Sequence, residues 1–436
     1  MDIPFDGFSG FTIEDAAPFD PGDEVRKATV FALANGYMSA RGAPESAPLD
    51  VPGIVGHHVN GLYDMPGDDI LAREMINLPA WTLLKLHANG QELTLTGAVP
   101  VDYTRALDMQ RGILRQRARW RLPGGPAITL DSERLVSMAR PHLGLIRWQL
   151  SSDADCAVTI ESTLDARVTN RFAVTHFAQV ETDTIGTGGV VTVTTVERGD
   201  RVEVMAAHHL GGVEPAFPRS DAFADHVTTA WTFDLRAGQH VTLDKYVAVY
   251  DSYFSAGDLD VLCRTAIEAA QDAGYAALRE EHAARWADLW AESDVCIEGD
   301  EPAQVALRFC LFHLLANRPH SERVSVSARG LQGQDYWGSI FWDNEIYVLP
   351  FFIYTQPGAA RRGLLYRYHT LDGARRKARS LGFRGAYYAW QSQDTGDETC
   401  ALYVFDDPRT GEKIRSYFAD EQIHISADIA FAVWQY

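Results

Sequence analysis

Ala328-Arg-Gly-Leu-Gln-Gly-Gln-Asp-Tyr-Trp-Gly-Ser-Ile-Phe-Trp-Asp-Asn-Glu345 runs without a break into the apolar stretch Ile346-Tyr-Val-Leu-Pro-Phe-Phe-Ile-Tyr354. The first part sets an aromatic ring, a carboxylate and a guanidinium among flexible glycines. The second reads as a buried helix. A second segment of the same kind, Trp390-Gln-Ser-Gln-Asp-Thr-Gly-Asp-Glu398, follows the apolar and basic run Ala359 to Ser380. Irregular loops rich in Gly, Asp and Trp therefore alternate with apolar helices, expected at Ala303–Arg318, Asn344–Thr355, Ala359–Ser380 and Ile425–Tyr436. A ring that lies against a sugar face, beside an acceptor for its hydroxyls, is one use of such loops.

Working back toward the N-terminus, the pattern changes. From Asp258 to Ala291 the chain is rich in Ala, Glu and Arg, with Leu278, His282, Trp286 and Trp290 near a helical period. Before about Ser255 it is β-rich. Ala157–Thr163, Val190–Val196 and Val241–Val249 alternate and favour β-branched residues, separated by glycine-containing turns as in a large antiparallel sandwich. The fold class expected is thus multidomain β plus α. An N-terminal antiparallel β-sandwich (1–255) precedes a helical linker (256–296) and an incomplete helical toroid (297–436). About 135 residues follow the linker, and at roughly 20 to 25 residues per helix and loop they hold five or six helices, half of what a closed toroid needs. The chain stops at Tyr436 inside a helical pattern, so much of such an enzyme is expected to be missing.

Composition narrows the classes. A formal charge of −20 in 436 residues argues against nucleic acid and anionic membranes as partners. The five cysteines are odd in number and lack CxxC spacing, which fits reduced thiols in a cytoplasmic protein. The start, Met1-Asp-Ile-Pro-Phe-Asp6, has neither the basic nor the apolar region of a secretory signal. No metal site is expected, because His57-His58 and His208-His209 are adjacent pairs in strand-like context with no carboxylate at ligand spacing. There is no GxSxG, Walker loop or GxGxxG.

Each candidate has a bland counterpart. Trp342 stacks on a pyranose, or it is a core residue. Asp343 accepts two hydroxyls, or it caps the following helix with Glu345 in the first turn. From pattern alone the cap is favoured. Arg329 holds the loop or reaches a hydroxyl. Trp390 and Gln391 contact a sugar, or they sit in a polar loop between helices with a capping Asp. Asp343 and Glu398 form the carboxylate pair to test for glycosidic cleavage. His424 and Ser426 are weaker candidates. The run Arg361-Arg362 with Arg375-Arg376-Lys377 and Arg379 reads as a solvated helix face.

The run Ala-Arg-Gly-Leu-x-Gly-x-x-Tyr-x-Gly-x-x-Phe-Trp-Asp-x-Glu resembles the disaccharide phosphorylases of glycoside hydrolase family 65, which act on maltose, kojibiose, trehalose and nigerose. So do Leu364–Arg375, Asn35–Gly42, Asn60–Asp64, Asn77–Trp81, Leu107–Gly112, Glu133–Met138 and Asp165–Asn170, in the family's order. The resemblance implies an (α/α)6 barrel after the linker and a small C-terminal β-domain. It displaces the capping reading of Trp342-Asp343. It places Trp342 and Asp343 at the non-reducing glucosyl unit, Arg329 in support, and Trp390 and Gln391 near the acceptor sugar. It implies inverting phosphorolysis of an α-glucoside to β-glucose 1-phosphate, with inorganic phosphate as co-substrate and no cofactor, in a protein that dimerises. The family's general acid, a glutamate in a Gly-Pro-Asp-Glu-Tyr-like segment, has no match here and is expected beyond Tyr436. Asp420-Glu421 is not that segment, and no catalytic residue is assigned. Ser339 stands where the family pattern has histidine. An N-terminal fragment, inactive alone, is the leading reading. A hydrolase of the same family and a non-catalytic or split sugar-binding half are the alternatives.

Overall fold

Strands with alternating burial build the first half of the molecule. The structure, a computed structural model, describes residues 10–16, 20, 22–65, 73–95, 100–170, 174–214 and 218–436, with every side chain of these but those of residues 404 and 405. The start read for a secretory signal, Met1 to Asp6, lies outside the described residues. Nine antiparallel strands form the larger sheet, in the order Thr12–Asp15, Asp102–Asp108, Ile113–Arg121, Ala127–Val136, Leu143–Ser152, His240–Asp251, Arg201–Gly211, Gly188–Thr195 and Phe177–Ile185. Five more, Arg219–Ala222, His226–Leu235, Cys156–Asp165, Leu84–Ala88 and Gln91–Glu92, make the second sheet. On the smaller sheet Ile160 sits opposite Trp231 and Val158 opposite Phe233. These side chains meet Trp148, Leu150, Val247 and Val249 of the larger sheet in one buried cluster, as two facing sheets require.

The three strand runs read from sequence fall inside Cys156–Asp165, Gly188–Thr195 and His240–Asp251. His240–Asp251 is buried on both faces because a helix covers its outer side. Helix α1 (Glu24–Val30) is short; α2 (Leu259–Ser293) is the segment expected as a linker. It is no free connector. Cys263, Ile267, Ala270, Tyr275 and Leu278 pack on Leu143, Leu145, Tyr246 and Ala248 of the larger sheet. Gly274, at φ 76° and ψ 157°, interrupts the helix in a conformation open essentially to glycine alone. Beyond it, His282 accepts the Met138 N–H at 3.0 Å and bonds the Gly112 carbonyl at 3.1 Å, and Trp290 donates to the Met109 carbonyl at 2.9 Å.

Six helices follow: α3 (Glu301–Ala316), α4 (Leu349–Thr355), α5 (Pro357–His369), α6 (Leu371–Ser380), α7 (Phe418–Glu421) and α8 (His424–Gln435). Two runs read as single helices are divided. Asn344–Val348 is a π-helical turn before α4, and Pro350, without an N–H, removes one donor of a regular α-ladder at that junction. The run Ala359–Ser380 turns at Thr370, whose hydroxyl donates to the Tyr366 carbonyl at 2.7 Å. That turn lets Gly373 meet the backbone of Gly396, where a Cβ would lie 2.2 Å from a carbonyl carbon. Leu349, Phe352, Ala359, Ala360, Leu364 and Ala432 form the cluster that joins α4, α5 and α8.

Candidate functional site

Ile340–Phe341 pairs antiparallel with Gln391–Ser392, placing Phe341 opposite Gln391. This two-residue ribbon fuses the two loops singled out in the sequence. The segment Trp390–Glu398 is thus not a plain interhelical loop, and its Asp394 caps no helix; it pairs with Arg73 and Arg198 of the β-rich half.

Beneath the ribbon lies a buried ion pair. Arg367 of α5 gives Glu345 two hydrogen bonds of 2.8 Å, the Phe341 carbonyl one of 3.0 Å and the Ser392 hydroxyl one of 3.1 Å. Tyr366 donates to the Gln393 carbonyl at 2.7 Å. Fully desolvated charges of this kind are tolerable only when every polar group is met, and here the pair fixes both strands to one helix. Glu345 does stand in the first turn, as expected, and there it is a buried anchor.

The ribbon and the segments around it enclose a cleft of about 690 Å³, lined among others by Arg329, Trp342, Asp343, Trp390 and Gln391. The five residues that the family resemblance assigns to sugar binding meet there, whereas Glu398, His424 and Ser426 do not line it. Trp342 is half-buried, with Trp390 at 5.9 Å between ring centroids and the His424 ring edge-on at 4.8 Å. Trp390 stacks on Phe418 at 5.0 Å. The Trp342 Nε1–H is buried without a partner among the described residues. Asp343 is exposed and helical in backbone, and its carboxylate caps nothing. The cap favoured from pattern alone does not form, because the chain enters a π-turn instead of a free helix N-terminus. Among the described residues Asp343 has no hydrogen-bond or ion-pair partner. Among the described residues Arg329 makes only a ring contact, with Tyr336 at 5.9 Å. It follows no helix directly, since α3 ends at Ala316.

Glu398 cannot partner Asp343 as a free acid. Lys377 reaches it at 2.7 Å, and the backbone N–H groups of Trp390, Gln391 and Cys400 donate to it at 2.8, 3.2 and 3.1 Å. It shapes the Trp390 loop. Lys377, expected on a solvated face, is consequently buried, and Arg376 pairs with Asp397 at 2.7 Å. Gln391 donates to the Thr399 carbonyl at 2.7 Å. Burial raises the pKa of Cys400, which lines the cleft, with the Glu398 charge adding to it. Ser339 is fully buried behind the cleft, bonded to Thr399 at 3.2 Å and Gln393 at 3.3 Å, and its departure from the family pattern does not reach the lining. His424 bonds Asp428 and Gln422, while Ser426 accepts the Tyr388 N–H at 3.3 Å. Asp420 is held by Arg415.

Tyr336 and Trp337, which also line the cleft, adopt left-handed backbone at φ 58° and 54°. Two adjacent bulky residues there cost on the order of 1–3 kcal/mol each and persist only where surroundings impose them. Sequence reading missed this corner, the Arg367–Glu345 pair and the His424 contact. The Tyr-Trp-Gly spacing carried no conformational signal, whereas the lone Arg367 between Tyr366 and Tyr368 was visible.

Free acceptor, cation, indole donor and ring faces suit a polyhydroxylated ring. No group of three His, Cys, Asp or Glu side chains suited to a metal occurs among the described residues. His57 instead meets Thr82, and His208 meets Ser162 at 2.8 Å. All five cysteines are free, and no helix among the described residues is long and apolar enough to cross a membrane.

The kojibiose phosphorylase of Halothermothrix orenii is 34% identical over 422 residues, covering 94% of this chain and 54% of that protein. The nigerose phosphorylase of Lachnoclostridium phytofermentans is 32% identical over 429 residues, covering 93% and 56%. The 1,2-alpha-glucosylglycerol phosphorylase of Bacillus selenitireducens is 33% identical over 419 residues, covering 96% and 54%. The chain spans about half the length of these relatives. A solved structure, a putative kojibiose phosphorylase from human microbiome, shares the fold at a TM-score of 0.85 and 22% identity, over 98% of this chain and 56% of that one. The N-terminal domain pattern of glycosyl hydrolase family 65 matches residues 16–289 and its central catalytic domain pattern residues 308–436, so the chain belongs to glycosyl hydrolase family 65.

Proposed function

We propose that the cleft receives the glucosyl unit of an α-linked disaccharide or glucoside, as part of an inverting phosphorylase. The observation that carries this is the convergence of Trp342, Asp343, Arg329, Trp390 and Gln391 on one cleft, with the Asp343 carboxylate and the Trp342 Nε1–H free of partners among the described residues. Asp343 would accept two sugar hydroxyls, Trp342 and Trp390 would offer ring faces, and Arg329 would support the wall. Phosphate, already an anionic nucleophile, would attack the anomeric carbon from the face opposite the leaving sugar. A carboxylic acid would protonate the departing oxygen, giving β-glucose 1-phosphate and a free sugar. No residue of this chain is assigned that acid, since Glu398 is engaged by four donors. The chain alone is expected to be inactive.

The domain limits 1–255, 256–296 and 297–436, with the last as the first part of an (α/α)6 barrel, belong to the same proposal. Large aromatics left exposed on α4, α5 and α8 support the barrel: Tyr354, Tyr368, Phe431 and Trp434 are 77%, 68%, 48% and 79% exposed.

Calorimetric titration of the chain with glucose, kojibiose and nigerose tests the sugar site. Millimolar or tighter binding is expected for wild type, weakened roughly ten- to hundredfold in Asp343→Asn through loss of charge-assisted bonds. No heat with any sugar, or equal affinity of the variant, overturns the reading. Release of glucose 1-phosphate from kojibiose and phosphate by the chain alone would overturn the inactivity.

A further inference from the structure

The left-handed corner at Tyr336–Gly338 is held from outside its own loop. The Gly338 carbonyl accepts the Tyr63 hydroxyl at 2.8 Å. The Trp337 carbonyl lies 3.4 Å from Gln393 Nε2, which also donates to the Arg73 carbonyl at 2.6 Å. Tyr63 and Met75 face each other in the ribbon Tyr63–Asp64/Glu74–Met75 of the β-rich half. Met75 fills the space where a Cβ on Gly338 would stand, 2.7 Å from its own Cβ, so the corner and the ribbon fit only with glycine at that point. Arg73, next in the chain to this ribbon, pairs with Asp394 and with Glu197 at 2.7 Å, and Arg198 joins Asp394. Farther along the loop, Ser39 donates to the Leu331 carbonyl at 2.8 Å and Arg41 to the Gln332 carbonyl. None of these donors lines the 690 Å³ cleft, yet together they fasten one of its walls.

We propose that Tyr63 and Gln393 are positioning residues through which the β-rich half holds the Tyr336–Trp337 wall in its left-handed form, so that the cleft is preformed before a sugar enters. A loop carrying two strained residues relaxes toward commoner backbone when its ties are cut. Relaxation withdraws the Tyr336 and Trp337 rings from the geometry that a ligand meets, and binding then includes reordering the wall. The consequence for affinity rests on the reading of the cleft as a sugar site; the consequence for the wall does not.

The test uses the chain labelled with 5-fluorotryptophan and observed by fluorine NMR. The Trp337 and Trp342 signals among the ten tryptophans are assigned by their loss in Trp337→Phe and Trp342→Phe. In Tyr63→Phe the Trp337 signal is expected to shift or broaden, and kojibiose affinity to fall about fivefold, the equivalent of one hydrogen bond. Gln393→Leu should do the same by an independent route, which covers failure of either variant to fold. Tyr37→Phe removes a buried hydroxyl bond to Asp251 at 2.7 Å elsewhere in the sandwich and serves as the control for general destabilisation. It should leave Trp337 unmoved. An unchanged Trp337 signal in both Tyr63→Phe and Gln393→Leu, or an equal change in Tyr37→Phe, overturns the proposal. A moved Trp337 signal with no sugar binding by any form, wild type included, would refute the sugar reading while leaving the positioning role standing.

Discussion

Arg367→Met removes the group on which the ribbon under the cleft depends. The side chains of Arg367 and Glu345 are 2% and 0% exposed. After the substitution the Glu345 carboxylate keeps, among the described residues, only the Asn344 amide, at 3.4 Å. The Phe341 carbonyl and the Ser392 hydroxyl each lose a donor as well. Removing one member of a buried pair leaves an uncompensated charge and costs about 3–5 kcal/mol. Much of that cost falls on the local structure. Amide exchange at residues 340–345 and 391–393 should therefore accelerate by roughly two to four decades, at 1.36 kcal/mol per decade. Glu345→Leu combined with Arg367→Met should recover much of the loss, because the stranded carboxylate is gone. Hydrogen exchange read by mass spectrometry, beside a denaturant titration, measures both effects. A loss below about 1 kcal/mol with unchanged exchange in both segments would show that the pair anchors nothing, and the account of how the cleft is supported would be wrong.

Glu398→Ala removes the acceptor for three backbone N–H groups and for Lys377, so the Trp390 loop should loosen; sugar titration should show weaker binding, and quenching by acrylamide should rise. Gly112→Ala sets a Cβ 2.0 Å from Trp286 Nε1 at φ 64°, and should cost about 2–5 kcal/mol, seen as a lowered melting temperature. Burial lowers the pKa of His282 to about 4, opposed by its bond to the Gly112 carbonyl, and burial likewise lowers His313 and His320 to about 4. The unfolded chain takes up these protons near the usual histidine pKa of about 6.5 while the folded chain does not, so stability falls with pH from about 6.5 down to about 4. A melting series over that window should show the decline, and His282→Gln should make it shallower; a flat series would refute it.

Periodicity decided the division of the chain, since it depends only on which faces are buried. Strand alternation marked Cys156–Asp165 and His240–Asp251, and spacing marked the second half of α2. The chemistry of the cleft was legible for a similar reason. An indole next to a carboxylate in a glycine-rich segment is a local composition, and the resemblance lifted Trp342 and Asp343 above the capping alternative. Sequence did not reveal where each carboxylate finds its partners. Asp343 and Glu398 are equally plausible acids on paper. One is free and the other saturated because Lys377, from α6, and three backbone N–H groups of its own loop converge on it. The Thr370 turn brings Gly373 against Gly396 of another loop, and the left-handed Tyr336–Trp337 pair rests on Tyr63 and Gln393. Local pattern thus determined the kinds of element and singled out the residues proposed to hold a sugar. Tertiary contact, by joining groups far apart in sequence, decided which polar atoms were consumed and which were left free to act.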